Sequence, residues 1–196
     1  MNWLEDLPLP VAGVDEAGRG PLAGPVTAAA VVLAPDQDLS GIGDSKALSE
    51  KRREILFERI QKESLAWAVG WASAEEIDRI NILQATFLAM RRALGSIEGH
   101  FASVAVDGNR PIKELSSPQR TIVKGDAKVK AIGAASILAK VSRDHYMLEL
   151  HAKYPEYDFA RHKGYPTPEH MQALRLHGPC PEHRRSFSPV AQLLLL

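Results

Sequence analysis

Cysteine is nearly absent from this chain, with Cys180 alone among 196 residues. One thiol closes no internal disulfide and builds no cysteine-rich zinc site. Long apolar runs are missing too, so no segment is long enough to span a bilayer. The first ten residues, MNWLEDLPLP, carry neither a basic n-region nor an apolar h-region, and a cytoplasmic, membrane-free protein is expected. Aromatic residues make up only 6%, and neither sign of charge dominates, with 24 Lys+Arg against 24 Asp+Glu. A disordered or fibrous chain is excluded by 45% hydrophobic residues spread over a globular length. The zero net charge does not exclude nucleic acid, because the charge is polarised. Residues 1–100 hold ten Lys+Arg and fifteen Asp+Glu, whereas residues 101–196 hold fourteen and nine, with six of the seven His. Such a chain can present a basic face, although surface scatter gives the same counts.

Apolar runs at 11–16 (VAGVDE) and 26–33 (VTAAAVVL) predict two strands joined by an unusual turn rich in Gly and Pro. Ser49 is placed to cap a charged helix of about 14 residues whose Ile55, Leu56 and Ile60 are expected in the core. Residues 65–72 read as a third strand. Ser73 and Glu76 have capping-box spacing, and a further helix begins near Asn81 with Leu83, Phe87, Met90 and Leu94 as its core stripe. SVAVD (103–107) and RTIVK (120–124) are short buried strands. A long helix then runs from Val129 to about His151, with Ile137, Val141 and Leu148 on one face and small residues crowding its start. Thr167-Pro168 and Gly178 bracket one more helix. Strands first, then alternating helices and strands, predict one α/β domain over 1–154 with a helical extension over 155–196 packed on it.

Three acidic positions each follow an apolar strand: Asp15-Glu16 after VAGV, Asp107 after SVAV, and Asp126 after TIVKG. Strand ends of α/β sheets project into the crevice where ligands bind. Acids gathered there repel one another unless a cation neutralises them, and an oxygen-only donor set suits Mg²⁺ or Mn²⁺. Four carboxylates could hold two such ions ~3.5–4 Å apart, the spacing used for in-line displacement at phosphorus. Neighbours on a regular strand face opposite ways, so Asp15 and Glu16 share a site only if the strand bends or ends there, and Gly18-Arg19-Gly20 follows at once. Glycines there also let main-chain groups approach a ligand such as a sugar hydroxyl, or simply serve a turn. Lys124, Lys128, Lys130 and Lys140 read either as a phosphate track or as a solvated helix face. Arg161-His162-Lys163-Gly164-Tyr165 joins cations to an aromatic suited to stacking. His177, Cys180 and His183 have ligand-like spacing but lack a fourth partner, so they read as a plain loop.

Several blocks taken together resemble a known family. GVDEAGRGPLAGPV (13–26), DSKALSEKRR (44–53), VDGNR (106–110), VKGDAK (123–128), AASILAKVSRDHYM (134–147) and HKGYPTPEH (162–170) are similar to the signature blocks of bacterial ribonuclease HII, the type 2 ribonuclease H family. They come in the family's order over residues 11–190, and RRSFSPV (184–190) fits its tail. The resemblance implies a ribonuclease H-like α/β fold, a five-stranded mixed sheet flanked by helices with a C-terminal helical extension. It implies an endoribonuclease that cleaves RNA in RNA/DNA hybrids and nicks duplex DNA at embedded ribonucleotides with Mg²⁺ or Mn²⁺. The catalytic, metal-binding acids would be Asp15, Glu16, Asp107 and Asp126. The substrate-binding residues would be Gly18, Arg19, Gly20, Lys46 and Tyr165, with Asp144 in a supporting place. The expected partner is nucleic acid, and the expected state is a monomer. Two rivals stay open: a non-catalytic nucleic-acid-binding module, which needs no convergent acids, and another metal-dependent phosphohydrolase, which needs neither the basic track nor Tyr165.

Overall fold

The structure is a computed structural model that describes residues 3–35, 42 and 48–195. Five strands form one sheet: β1 (Val11–Ala17), β2 (Val26–Val32), β3 (Ala66–Ala72), β4 (Ser103–Asp107) and β5 (Gln119–Ile122). Their order is β3-β2-β1-β4-β5, antiparallel on the β3-β2-β1 side and parallel from β1 through β4 to β5. This is the mixed α/β sheet expected.

Alternation along β2 gives the sheet two buried faces. Ala28, Ala30 and Val32 pack on one side with Phe87, Met90 and Leu94 of α2 (Ala74–Gly95). Ala29 and Val31 pack on the other with Leu56 and Ile60 of α1 (Glu50–Glu63) and Ile137, Leu138 and Val141 of α3 (Lys130–Lys153). Each such buried Val, Leu, Ile, Phe or Met side chain contributes roughly 1.5–3 kcal/mol. The caps form as read: Ser49 accepts the Arg52 N–H, and Ser73 and Glu76 close a capping box. Asn81, at φ 66°, breaks α2, and its Oδ1 accepts from the N–H groups of Leu83 and Gln84 to start the second half.

Two core expectations are corrected. Ile55 is 48% exposed, because it lies about a quarter turn from the Leu56–Ile60 stripe that faces the sheet. Leu148 is 44% exposed, because beyond Arg143 the helix α3 meets a different neighbour. There Met147 and Leu150 turn inward against Tyr157 and Phe159. The C-terminal residues form α4 (Phe159–His162), α5 (Pro168–His177) and α6 (Ser188–Leu193). They join the β1–β2 connection through an Ala23–His183 bridge and through hydrogen bonds from Leu22 N–H to Gly164 O and from Arg184 N–H to Leu22 O. Among the described residues no helix is long and apolar enough to cross a membrane.

Candidate active site

The parallel register sets Val14 beside Val106, so Asp15 and Asp107 follow on adjacent strands, Asp107 as the last residue of β4. Asp15, Glu16 and Asp107 line one cavity of about 300 Å³, with Gly18, Ser136, Lys140, Arg143 and Tyr165 also in its walls. A second cavity of about 260 Å³ shares Glu16 and Asp107 and is floored by Leu83, Phe87 and Met90 of α2. Of the two ways expected for Asp15 and Glu16 to share a site, an end of the strand is not what is found: β1 pairs with β2 as far as Ala17–Thr27. Both carboxylates nevertheless line one cavity, beside the point where β4 stops at Asp107 and its pairing with β1 ends at Val14–Val106.

Asp15 is only 6% exposed. Burial, then the charges of Glu16 and Asp107, push its carboxyl well above the usual carboxylate range, while a hydrogen bond with Ser136 and another from the Glu16 N–H oppose the rise. Asp107 Oδ1 accepts the Gly125 N–H at 2.7 Å and so anchors the short 3₁₀ turn that carries Asp126. Asp126 itself is half-buried in that turn, caps its own Ala127 N–H and does not form part of the cavity wall. The structure therefore brings three of the four acids together and leaves the fourth on an adjoining turn. No thiolate or imidazole among the described residues lines the cavity, so the donor set suits a hard divalent cation. Among the described residues no group of three His, Cys, Asp or Glu side chains is placed to hold a metal ion by itself. Mg²⁺ needs none, since it binds through one or two carboxylates, waters and substrate phosphates.

Gly18 has φ 86°, a conformation that favours glycine, and Arg19 pairs with Glu16 at 3.2 Å. Gly20 is not in that region; a methyl group on it would lie 3.5 Å from Tyr165 Cε1, ordinary contact. Tyr165, 44% exposed, thus stands over the turn at the mouth of the acidic cavity. Lys46 lies outside the described residues. The lysine track divides: Lys140 lines the acidic cavity and pairs with Asp144 at 2.7 Å, while Lys128 and Lys130 line a separate apolar groove beside Trp3.

The family profile described as Ribonuclease HII matches residues 12–190. The chain belongs to the ribonuclease HII family. It is a ribonuclease H, a hydrolase that cuts within RNA/DNA hybrids. The chain is 58% identical over 195 residues to Ribonuclease HII 2 of Methylibium petroleiphilum, covering 100% of this chain and 88% of that one. It is 59% identical over 186 residues to Ribonuclease HII of Dechloromonas aromatica, covering 95% and 94%. Among solved structures, the ribonuclease H2 of Pyrococcus horikoshii superposes with TM-score 0.77 at 30% identity, covering 93% of this chain and 96% of that one. The RNase HII of Archaeoglobus fulgidus, solved in complex with PCNA, gives 0.78 at 26% identity, covering 91% and 95%.

Beyond the acids and Tyr165, this ribonuclease HII fold places residues at the site that sequence reasoning passed over. Arg53, Ser136 and Arg143 line the cavity. His170 and His183 are buried, and their hydrogen bonds order the protons. Cys180 N–H donates to His183 Nδ1, so the His183 proton sits on Nε2, 3.0 Å from His170 Nε2. His170 then carries its proton on Nδ1 and donates to the Tyr165 carbonyl at 2.8 Å. The plain loop around Cys180 is thus a buried support for the tyrosine. Local spacing carries no signal for Arg143, whose carbonyl partners Ala23 and Pro25 lie 120 and 118 residues away.

Proposed function

We propose that this chain hydrolyses the RNA strand of RNA/DNA hybrids and nicks duplex DNA on the 5′ side of a single embedded ribonucleotide, leaving 5′-phosphate and 3′-hydroxyl ends. The observation that carries this reading is the convergence of Asp15, Glu16 and Asp107 in one cavity, with Asp15 held above the normal carboxylate range by burial and repulsion. Such a site is electrostatically incomplete, and divalent cations are the charge that completes it. Asp15, Glu16, Asp107 and Asp126 are the residues that would hold two Mg²⁺ or Mn²⁺ ions. When bound, the ions neutralise charge on the phosphate and lower the pKa of an attacking water. Lys140 and Arg53 in the same wall attract the phosphodiester, and Tyr165 offers its ring to the sugar beside the scissile bond. The Gly18-Arg19-Gly20 turn offers main-chain groups to the ribose 2′-hydroxyl, the one group that separates RNA from DNA at that sugar.

The test is incubation with Mg²⁺ and a DNA duplex containing one ribonucleotide. A single nick on its 5′ side, absent on all-DNA duplex, is expected. Binding without a nick would favour a non-catalytic module, and hydrolysis confined to small phosphoesters would favour another phosphohydrolase.

A further inference from the structure

The connection between β1 and β2 is held in place by two buried arginines. Arg143 is 1% exposed and Arg184 is 0%. Among the described residues neither forms an ion pair; every hydrogen-bond partner of either is a main-chain carbonyl. Arg184 donates from Nε to Gly24 O at 2.9 Å, from Nη1 to Arg19 O at 3.0 Å and from Nη2 to Gly18 O at 2.6 Å. Arg143 donates from Nε to Pro25 O, from Nη2 to Ala23 O and from Nη1 to Lys163 O, each at 3.0 Å. Burial lowers their pKa values to about 10 and about 9 for Arg143 and Arg184, so both stay charged at neutral pH. Burying two charges without counter-ions is costly, and loop closure alone does not need it.

Peptide geometry supplies the reason. Within a trans peptide the C=O of one residue and the N–H of the next point in opposite directions. A guanidinium that draws the Gly18 and Arg19 carbonyls toward the interior therefore turns the Arg19 and Gly20 N–H groups outward. No acceptor among the described residues takes those two N–H groups. The outer side of Gly20 is the side of Tyr165, whose ring lies 3.5 Å from where a Gly20 Cβ would stand. The Arg143 bond to the Lys163 carbonyl ties the Tyr165 segment to the same frame. A Cβ on Gly18 would sit 2.0 Å from Arg143 Nε, so the glycine is required by the arginine as well as by its φ.

We infer that Arg184, with Arg143 beside it, is a positioning residue for ribose recognition, holding the Arg19 and Gly20 N–H groups toward the 2′-oxygen of the substrate. This rests on the reading of the Gly18-Arg19-Gly20 turn given above, and Arg184 thereby acts on specificity without touching substrate.

The test uses the full chain with Ca²⁺ in place of Mg²⁺ to hold back cleavage, and two duplexes, one with a single ribonucleotide and one all DNA. In wild type the ¹⁵N amide resonances of Arg19 and Gly20 should shift with the ribonucleotide duplex and not with the all-DNA duplex. Arg184→Lys keeps the charge but cannot reach three carbonyls at once. It should lose those shifts and at least about tenfold of the affinity ratio between the two duplexes. A merely structural arginine would lower thermal stability and both affinities together, leaving the ratio unchanged; that result overturns the inference while the reading of the turn stands. Wild-type amides that never respond to the ribose would instead sink the reading of the turn. Should Arg184→Lys not fold, amide exchange in the free wild type decides: rapid exchange at Arg19 and Gly20 is expected, and protection there overturns the inference.

Discussion

At Asp15, function and stability pull in opposite directions. The native state holds this carboxyl above the usual range, chiefly by burial and then by the charges of Glu16 and Asp107. Ionising it therefore costs more in the metal-free fold than in the unfolded chain, and that difference destabilises the fold as pH rises. Asp15→Asn keeps an oxygen that can accept the Glu16 N–H, and it should raise the metal-free melting temperature by a few degrees while cleavage falls by orders of magnitude. Mg²⁺ should raise the melting temperature of wild type and raise that of the variant less. Equal Mg²⁺ shifts would remove Asp15 from the metal site. Tyr165 makes the second residue-scale case. Stacking of its exposed ring is worth ~1–3 kcal/mol, so Tyr165→Ala should lower cleavage at a single ribonucleotide by ~10–100-fold. Uniform hybrid should suffer less, because many registers remain available to it. Steady-state kcat/KM on the two substrates checks this, and equal losses would refute it.

Among the elements, the contact of β1 with the start of α3 sets the depth of the acidic cavity. Gly13 sits where a Cβ would lie 2.2 Å from the Ala131 carbonyl carbon, and Ala131, Gly133, Ala134 and Ala135 are all buried. Small residues on both sides let the helix lie against the strand that carries Asp15 and bring Ser136 and Lys140 into the site. Gly13→Ala therefore forces a backbone apart from a backbone, and it should cost about 3 kcal/mol, the upper range for overpacking. The urea midpoint measures this; a midpoint within error of wild type would mean that α3 is free to move. Gly18→Ala and Gly20→Ala should also part company. The first meets Arg143 and a positive φ, whereas the second has room in the free protein. Circular dichroism and melting should find Gly20→Ala close to wild type and Gly18→Ala destabilised.

Across the whole molecule, the C-terminal segment is bound to the catalytic sheet through buried polar groups, and that coupling carries a pH dependence. Burial first, with nearby histidines adding to it, lowers the folded-state pKa values of His170 and His183 to about 4. An unfolded histidine titrates near ~6.5. Between those values the unfolded chain binds more protons than the native one, so stability rises with pH across that window and is lost as pH falls from about 6.5 toward 4. The loss should reach a few kcal/mol for the pair, on the order of 1.4 kcal/mol per pKa unit and less than additive for coupled rings. Asp15 acts in the opposite sense, so the measurement belongs in the Asp15→Asn background. Urea midpoints falling steadily from pH 7 to pH 5 are expected, and a flat profile would exclude the histidine pair as the acid-sensitive element.

The five strands, the capped helices and the acidic character of the β1 and β4 segments were legible from sequence because each depends on neighbours within a few positions. Alternation along VTAAAVV, the Ser73–Glu76 spacing and an acid after each apolar run are local facts. Local order could not show that α3 changes partners beyond Arg143, which exposes Leu148 and buries Met147. Nor could it show that Asp15 and Glu16 share a site while β1 stays paired with β2 past them to Ala17 and β4 stops at Asp107. The two buried arginines were invisible for the same reason, since Arg184 reaches carbonyls 160 to 166 residues away. Sequence by itself determined which chemistry the chain carries, because side-chain type and short-range periodicity are properties of the chain. Only the tertiary structure decided how that chemistry is aimed, because a guanidinium acquires its carbonyls, and a carboxylate its raised pKa, from groups that folding alone brings near.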